Sequence, residues 1–300
     1  ENITSTFEIA VNDGKLSGAN QDLLQNYSYE SGTASWSSNS VDFTLNLLTK
    51  CLSISPNNLD DLRYKYFTLS FSDEVFLGDK WLQHLLVFAK KICIDSNLLA
   101  PGIYLDASEE VKNKLFVNAE EVAIKTAKFI NRGEIQTTKS LLIAASTSDN
   151  KYGKLHTAGD LRLAAASLDN DDGSISGAQS TKVRIGSFLS NKKGCLGASG
   201  RTSLTFIDSV EVTELGNIRG NEIYFSANKT GSSSFRSGML IANQDRIFIS
   251  GKELLLPEIQ VISKYLHLTV NNFLLDPQTN CEYTVLHVNS RLTLLQKHKY

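Results

Sequence analysis

Residues 131–196 read NRGEIQTTKSLLIAASTSD, NKYGKLHTAGDLRLAAASLD, NDDGSISGAQSTKVRIGSFLS and NKKGCL, four segments that each open on Asn with a Gly two or three residues later. Asn131, Asn150, Asn170 and Asn191 are separated by 19, 20 and 21 positions. Their glycines, Gly133, Gly153, Gly173 and Gly194, each precede an aliphatic residue by two: Ile135, Leu155, Ile175 and Leu196. A second apolar pair follows in each unit: Leu141 and Ile143, Leu161 and Leu163, Val183 and Ile185, Leu204 and Phe206. Alternation with period two puts both members of a pair on one face of a strand. Strands this short cannot bury a face alone. Stacked unit on unit, each pairs in parallel with its copy one coil away, at about 4.8 Å.

The pattern therefore predicts an all-β fold, a right-handed parallel β-helix with coils of about 20 residues. The Asn and Gly positions are read as corners, because both residue types tolerate the left-handed backbone of sharp bends. Asn side chains at equivalent corners are also expected to stack, amide to amide, along the axis.

Weaker copies extend both ways. Upstream stand Leu86-Val-Phe88, Ile92-Cys-Ile94, Ile103-Tyr-Leu105 and Val122-Ala-Ile124; downstream, Ile223-Tyr-Phe225, Ile247-Phe-Ile249 and Leu266-His-Leu268. Residues 77–300 are assigned to the β-helix and 1–76 to an irregular β-rich N-terminal segment or cap. Within the latter, Thr6 to Leu16 resembles one coil, NYSYESGTASWSSNS (26–40) reads as a long turn or loop, and 42–48 and 66–71 read as strands. An amphipathic helix competes for 80–91, but the strand formers around it favour a strand; 59–64 has the composition of one helical turn.

Hydrophobic residues make up 41% of the chain and charged ones 21%, a balance of folded rather than disordered sequences. The 30 basic and 32 acidic residues leave a net charge of −2, which argues against nucleic acid as a partner. No apolar run is long enough for a membrane-spanning helix. The opening ENITST, without a basic and apolar leader, is that of a mature form or of a piece of a longer protein, so flanking repeats of the same chain are expected. Cys51, Cys93, Cys195 and Cys281 have no metal-ligand spacing and are read as separate buried thiols, their pairing left open.

The chemistry is sparse. Asp169, Asp171 and Asp172 supply oxygens in one tight turn, as calcium requires, but the equivalent turns carry Lys instead, and a solvated turn is expected. His84, His156, His267, His287 and His298 share no ligand spacing. Gly197-Ala-Ser-Gly200-Arg-Thr202 reads as a corner rather than a phosphate loop. Lys139, Arg162 and Arg184 recur at about one coil's distance, so an outward basic ladder able to hold a polyanion is the one charged site proposed from sequence. No catalytic residue, metal or cofactor is assigned.

The run 159–175, GDLRLAAASLDNDDGSI, with Phe129 to Ile135 before it, resembles the repeat of filamentous haemagglutinin, whose pattern is G-D-L-x-L-x-A-x-x-L-x-N-x-x-G-x-I. That family comprises the exoproteins of two-partner secretion, among them adhesins and the stick proteins of contact-dependent inhibition. The likeness covers roughly 115–206 and departs in its four cysteines and in the absence of a recognisable secretion-signal region. It implies a secreted, cell-surface β-helix without a catalytic site, binding a receptor that is protein or glycan. A β-helical polysaccharide lyase, hydrolase or tailspike is the alternative, and a self-assembling shaft module a third.

Overall fold

The computed structural model describes residues 65–242 and 246–271 with their side chains, and further strands between 6 and 56 and between 272 and 294 by their backbone. Every regular element among the described residues is a β-strand, and the stacked, parallel strands form a β-solenoid with coils of about 20 residues. The chain divides into two compact units, 1–138 and 139–300.

In the first unit, strands Tyr66–Phe71, His84–Leu99, Gly102–Asn113 and Phe116–Asn131 stack in parallel. Phe67 faces Leu85, Leu85 faces Ile103 and Ile103 faces Val122, so each coil here takes 18 or 19 residues. Along the same strands Val75, Ile92, Val111 and Phe129 form a second inward column, each at most 1% exposed. Residues 84–91 lie in a strand, not a helix: Leu85 and Val87 point inward at period two, which a 3.6-residue turn could not satisfy.

Strand Thr6–Asn12 pairs in parallel with Tyr66–Phe71, Thr6 opposite Tyr66, an offset of 60 residues instead of one coil. It is a coil strand, but Lys15–Ser17 folds back on it antiparallel and does not continue the coil. The stretch read as a long loop contains strands Gln25–Glu30 and Thr33–Ser37, which continue antiparallel into Val41–Asn46 and Cys51–Pro56. An antiparallel meander is thus inserted between two coil strands. The helical turn expected at 59–64 lies outside the described residues.

In the second unit, residues 140–149 pair with Asp160–Asp169, then Ser180–Ser190, Arg201–Phe206, Glu222–Ser226, Arg246–Leu256 and Ile259–Leu275. One inward column runs Ile143, Leu163, Val183, Leu204, Phe225, Ile249, Leu268, each at most 2% exposed. A second wall stacks Leu155, Ile175, Leu196, Ile218, Leu240 and Val261. Full burial of each such side chain is worth about 1.5–3 kcal/mol, so the continuous interior, not the short strands, stabilises the unit.

The register corrects the sequence alignment in one respect. Leu161 faces Thr181, and Thr181 faces Thr202; Val183 faces Leu163 and Ile185 faces Ala165. Matching the pair Val183/Ile185 to Leu161/Leu163 slides the coil by two residues. The interior tolerates threonine because its hydroxyl is satisfied: Thr181 Oγ1 accepts from the Gly177 amide at 2.8 Å and donates to the Gly177 carbonyl at 3.3 Å.

Candidate functional site

The corners come first, because they hold the outward faces in register. Asn150, Asn170 and Asn191 are fully buried. Asn150 Nδ2 donates to Asn170 Oδ1 at 2.8 Å, and Asn170 Nδ2 donates to Asn191 Oδ1 at 2.7 Å. Each amide also donates to the carbonyl of its own corner glycine, Gly153 or Gly173, at 3.2 and 3.3 Å. In the first unit Asn113 Nδ2 donates to Asn131 Oδ1 at 2.9 Å. The column stops at Leu215, whose carbonyl accepts from Asn191 Nδ2 at 2.8 Å.

Neither the Asn nor the Gly of these corners supplies the left-handed residue. Tyr152 (φ 59°), Asp172 (φ 54°) and Lys193 (φ 54°), each immediately before the glycine, do so. The glycines are needed for space. A Cβ on Gly173 would strike the Asn150 carbonyl oxygen and Asn170 Oδ1; on Gly194 it would strike the Asn170 carbonyl oxygen and Asn191 Oδ1. At the first-unit corner, a Cβ on Gly133 would strike the Leu115 carbonyl oxygen. Corner glycine and amide ladder therefore require each other. Gly197 does adopt a left-handed conformation (φ 88°), in keeping with a corner there.

The aspartates of the suggestive turn are engaged in it. Asp169 Oδ1 accepts from the Asp171 amide at 3.0 Å, while Asp171 Oδ1 accepts from Ser190 Oγ at 2.7 Å and the Lys192 amide at 2.8 Å. No cluster of three or more His, Cys, Asp or Glu suited to a metal occurs among the described residues. His84 stacks on Tyr66 with ring centroids 5.0 Å apart, and His156 Nδ1 lies 2.7 Å from Ser176 Oγ. Cys93 and Cys195 are free thiols, and burial raises the pKa of both; the Arg219 guanidinium partly offsets the rise at Cys195. The side chains of Cys51, Cys281, His287 and His298 lie outside the described residues.

The most distinctive outward surface is the face of the second unit lying over the Leu161 and Leu163 columns. Reading along the stack, one outward column runs Leu142, Arg162, Lys182, Ser203, Tyr224, Phe248, His267. The next runs Ala144, Ala164, Arg184, Thr205, Ser226, Ser250. Lys139, Arg162 and Arg184 consequently stand in three different columns and form no ladder; Arg162 is opposed by Lys182, a residue the sequence reading passed over. Arg162, Lys182 and Arg184 are all exposed. Neighbouring strands put Arg162 and Lys182 about 4.8 Å apart at the backbone, and Arg184 follows Lys182 by two residues, about 6.6 Å. Ala164 occupies the fourth corner of this grid.

Elsewhere in the unit, exposed cations are matched to carboxylates one coil away, Arg201 to Glu222 at 3.1 Å and Arg236 to Glu258 at 4.0 Å. Among the described residues, Arg162, Lys182 and Arg184 have no such partner. The nearest acid, Asp160, accepts from Ser180 Oγ at 2.5 Å in the adjoining column. Further along, Arg201 lies over the Tyr224 ring (5.0 Å to the centroid), Tyr224 stacks on Phe248 (4.6 Å, 5°) and Phe248 on His267 (4.6 Å, 13°). An unpaired cationic triad thus gives way to a stacked aromatic column.

Comparison with protein families, with curated proteins and with solved structures found no match to this chain.

Proposed function

We propose that this chain is a structural, adhesive β-helix segment of a large secreted cell-surface exoprotein, binding a host or neighbouring-cell receptor through a lateral face. The observation that carries the reading is the use made of the string 159–175. Leu161, Leu163, Leu168 and Ile175 are interior residues at most 2% exposed, Ala165 is 8% exposed, Asn170 belongs to the amide ladder and Gly173 leaves room for it. The shared letters of the haemagglutinin-type pattern are thus the ones that build a coil. The letters the pattern leaves open, Arg162 and Ala164 among them, face outward, where a receptor is met.

Two measurements on the full chain test this. Fluorescently labelled protein is expected to bind cultured host or bacterial cells saturably. Incubated with a panel of plant, bacterial and animal polysaccharides, it is expected to release no new reducing ends or unsaturated products. Catalytic release of fragments would overturn the adhesive reading in favour of a β-helical polysaccharide-degrading enzyme.

A further inference from the structure

We propose that the Arg162, Lys182 and Arg184 triad, with Ala164 between them, is a docking point for a sulfated linear polysaccharide laid along the stacking direction of the coils. This rests on the adhesive reading above and names the ligand class of its receptor.

Like charges directly opposite on one sheet face destabilise the pairing. Arg162 and Lys182 are such a pair, and Arg184 adds a third positive charge on the same face two residues on. Arg201 and Arg236 avoid that cost by facing carboxylates across the coil boundary. At the triad the neighbours across the coil boundaries are Leu142, Ala164, Ser203 and Thr205, none of which can neutralise a cation. A bound oxyanion over Ala164 would do so from three sides, since the short alanine side chain leaves the grid's fourth corner open. Two of the three cations are arginines, whose planar forks grip tetrahedral and planar oxyanions through paired hydrogen bonds.

The surroundings choose among anionic partners. Following the column from coil to coil, a ligand meets exposed Leu142, then Arg162, Lys182, the Ser203 hydroxyl and the Tyr224 ring. That alternation of apolar, charged and hydroxyl groups at one-strand spacing matches a sugar chain, with its C–H faces, anionic substituents and hydroxyls. Charges this closely set call for more than one anionic group per repeat, which sulfation provides and a uronate-only chain does not. A bilayer or a nucleic-acid duplex is broad and would also cover Asp160 and Glu222 in the adjoining column, where its charge is repelled. A single chain following the Leu142–Tyr224 column covers neither.

The test uses the full chain and the variant Arg162→Ser/Lys182→Ser/Arg184→Ser, titrated onto immobilised heparin-type polymer at low and high salt. Comparators are a uronate-only polymer of equal length, phosphatidylserine vesicles and duplex DNA. The parent chain is expected to prefer the sulfated polymer and to lose affinity as salt screens the triad. The variant is expected to bind it at least tenfold more weakly, with an unchanged far-UV circular dichroism spectrum and no lower melting temperature. Equal binding by parent and variant, or preference for vesicles, DNA or the uronate polymer, overturns the proposal. Cells stripped of sulfated glycans separate the two layers of argument. Undiminished binding to them sinks the sulfated-chain assignment but leaves the adhesive reading standing, whereas fragment release from the polymer by the chain sinks the adhesive reading itself.

Discussion

Replacing Asn170 with Ala removes the middle rung of the amide ladder, and the cost can be worked from its bonds. The two amide hydrogens are shared among Asn191 Oδ1 at 2.7 Å and the carbonyls of Gly173 and Cys195, both at 3.3 Å; Oδ1 accepts from Asn150 at 2.8 Å. That amounts to about three bonds at about 1 kcal/mol net each. Asn191 Oδ1, buried, is left without its donor, adding about 1–3 kcal/mol. Asn150 Nδ2 retains the carbonyls of Gly153 and Ser174 and contributes little to the loss. The expected destabilisation is therefore about 3–5 kcal/mol. Equilibrium unfolding in urea, followed by far-UV circular dichroism, measures it, with unchanged m-value as the check that the same surface unfolds. Asn170→Asp sharpens the argument. The introduced carboxylate cannot donate to Asn191 and is buried against carbonyl oxygens, so its folded-state pKa must rise above the ordinary value of about 3.9. A raised acid contributes its stability fully below that value and loses it as pH climbs through the folded pKa. The Asn170→Asp variant is therefore expected to be closest in stability to the parent chain near about pH 3 and furthest from it at about pH 7. A loss below about 1 kcal/mol for Asn170→Ala would mean that the corners are held by backbone bonds alone, and the ladder argument would fail.

The remaining predictions concern the same coils. Gly194→Ala forces a methyl group into Asn191 Oδ1 and the Asn170 carbonyl, and is expected to cost about 1–3 kcal/mol or more in thermal or chemical unfolding, although its φ is unremarkable. Tyr152→Gly relieves a left-handed, exposed residue and is expected to raise stability by about 0.5–1 kcal/mol, the left-handed penalty exceeding the added chain entropy. Lys182→Glu turns the like-charged neighbour of Arg162 into an opposite one; a gain of about 0.2–1 kcal/mol, vanishing in high salt, is expected together with lost polyanion binding. Cys93 and Cys195, with thiol pKa values raised above 9.0 by burial, favour the protonated form in the folded state. Their contribution is fully present below pH 9 and is lost as pH rises, so the native chain should resist iodoacetamide at about pH 8 while urea-unfolded chain reacts at the ordinary rate.

The solenoid was legible because Asn and Gly recur at corners whose physical demands are narrow: a buried amide with a partner above and below, and no room for a Cβ. The same narrowness hid Asn113, which is followed by Lys114 and Leu115 in place of a glycine, though its Oδ1 still accepts from the Leu115 amide at 3.3 Å. Threonine misled the register. Thr181 and Thr202 sit fully inside, so matching coils by aliphatic pairs skipped them and slid Arg184 into the column that belongs to Lys182. One extra residue between Ile185 and Phe188 relative to Ala165 and Ser167, a bulge, conceals the slip from anyone counting between asparagines. The meander at 25–56 was missed in part because Ser and Gly dominate its first half, where composition suggested a loop and only the alternation around Tyr27 and Tyr29 pointed to a strand.

Coil length is held at 20 or 21 residues between Leu141, Leu161, Thr181 and Thr202, the stretch flanked by Asn150, Asn170 and Asn191. Past Leu215, where no asparagine continues the ladder, the left-handed residues are Gly216, Ser237 and Glu258, and the step from Ile223 to Ile247 stretches to 24. Corner chemistry and coil length change together. An amide ladder fixes the distance from one corner to the next through short hydrogen bonds, whereas a left-handed turn fixes only its own bend. The cationic triad stands on the coils the ladder regulates, so Arg162, Lys182 and Arg184 keep a constant spacing that a flexible loop could not maintain. A rigid support of this kind lets unpaired charges remain side by side without collapsing onto distant acids, and preorganises them for a ligand that brings the missing negative charge.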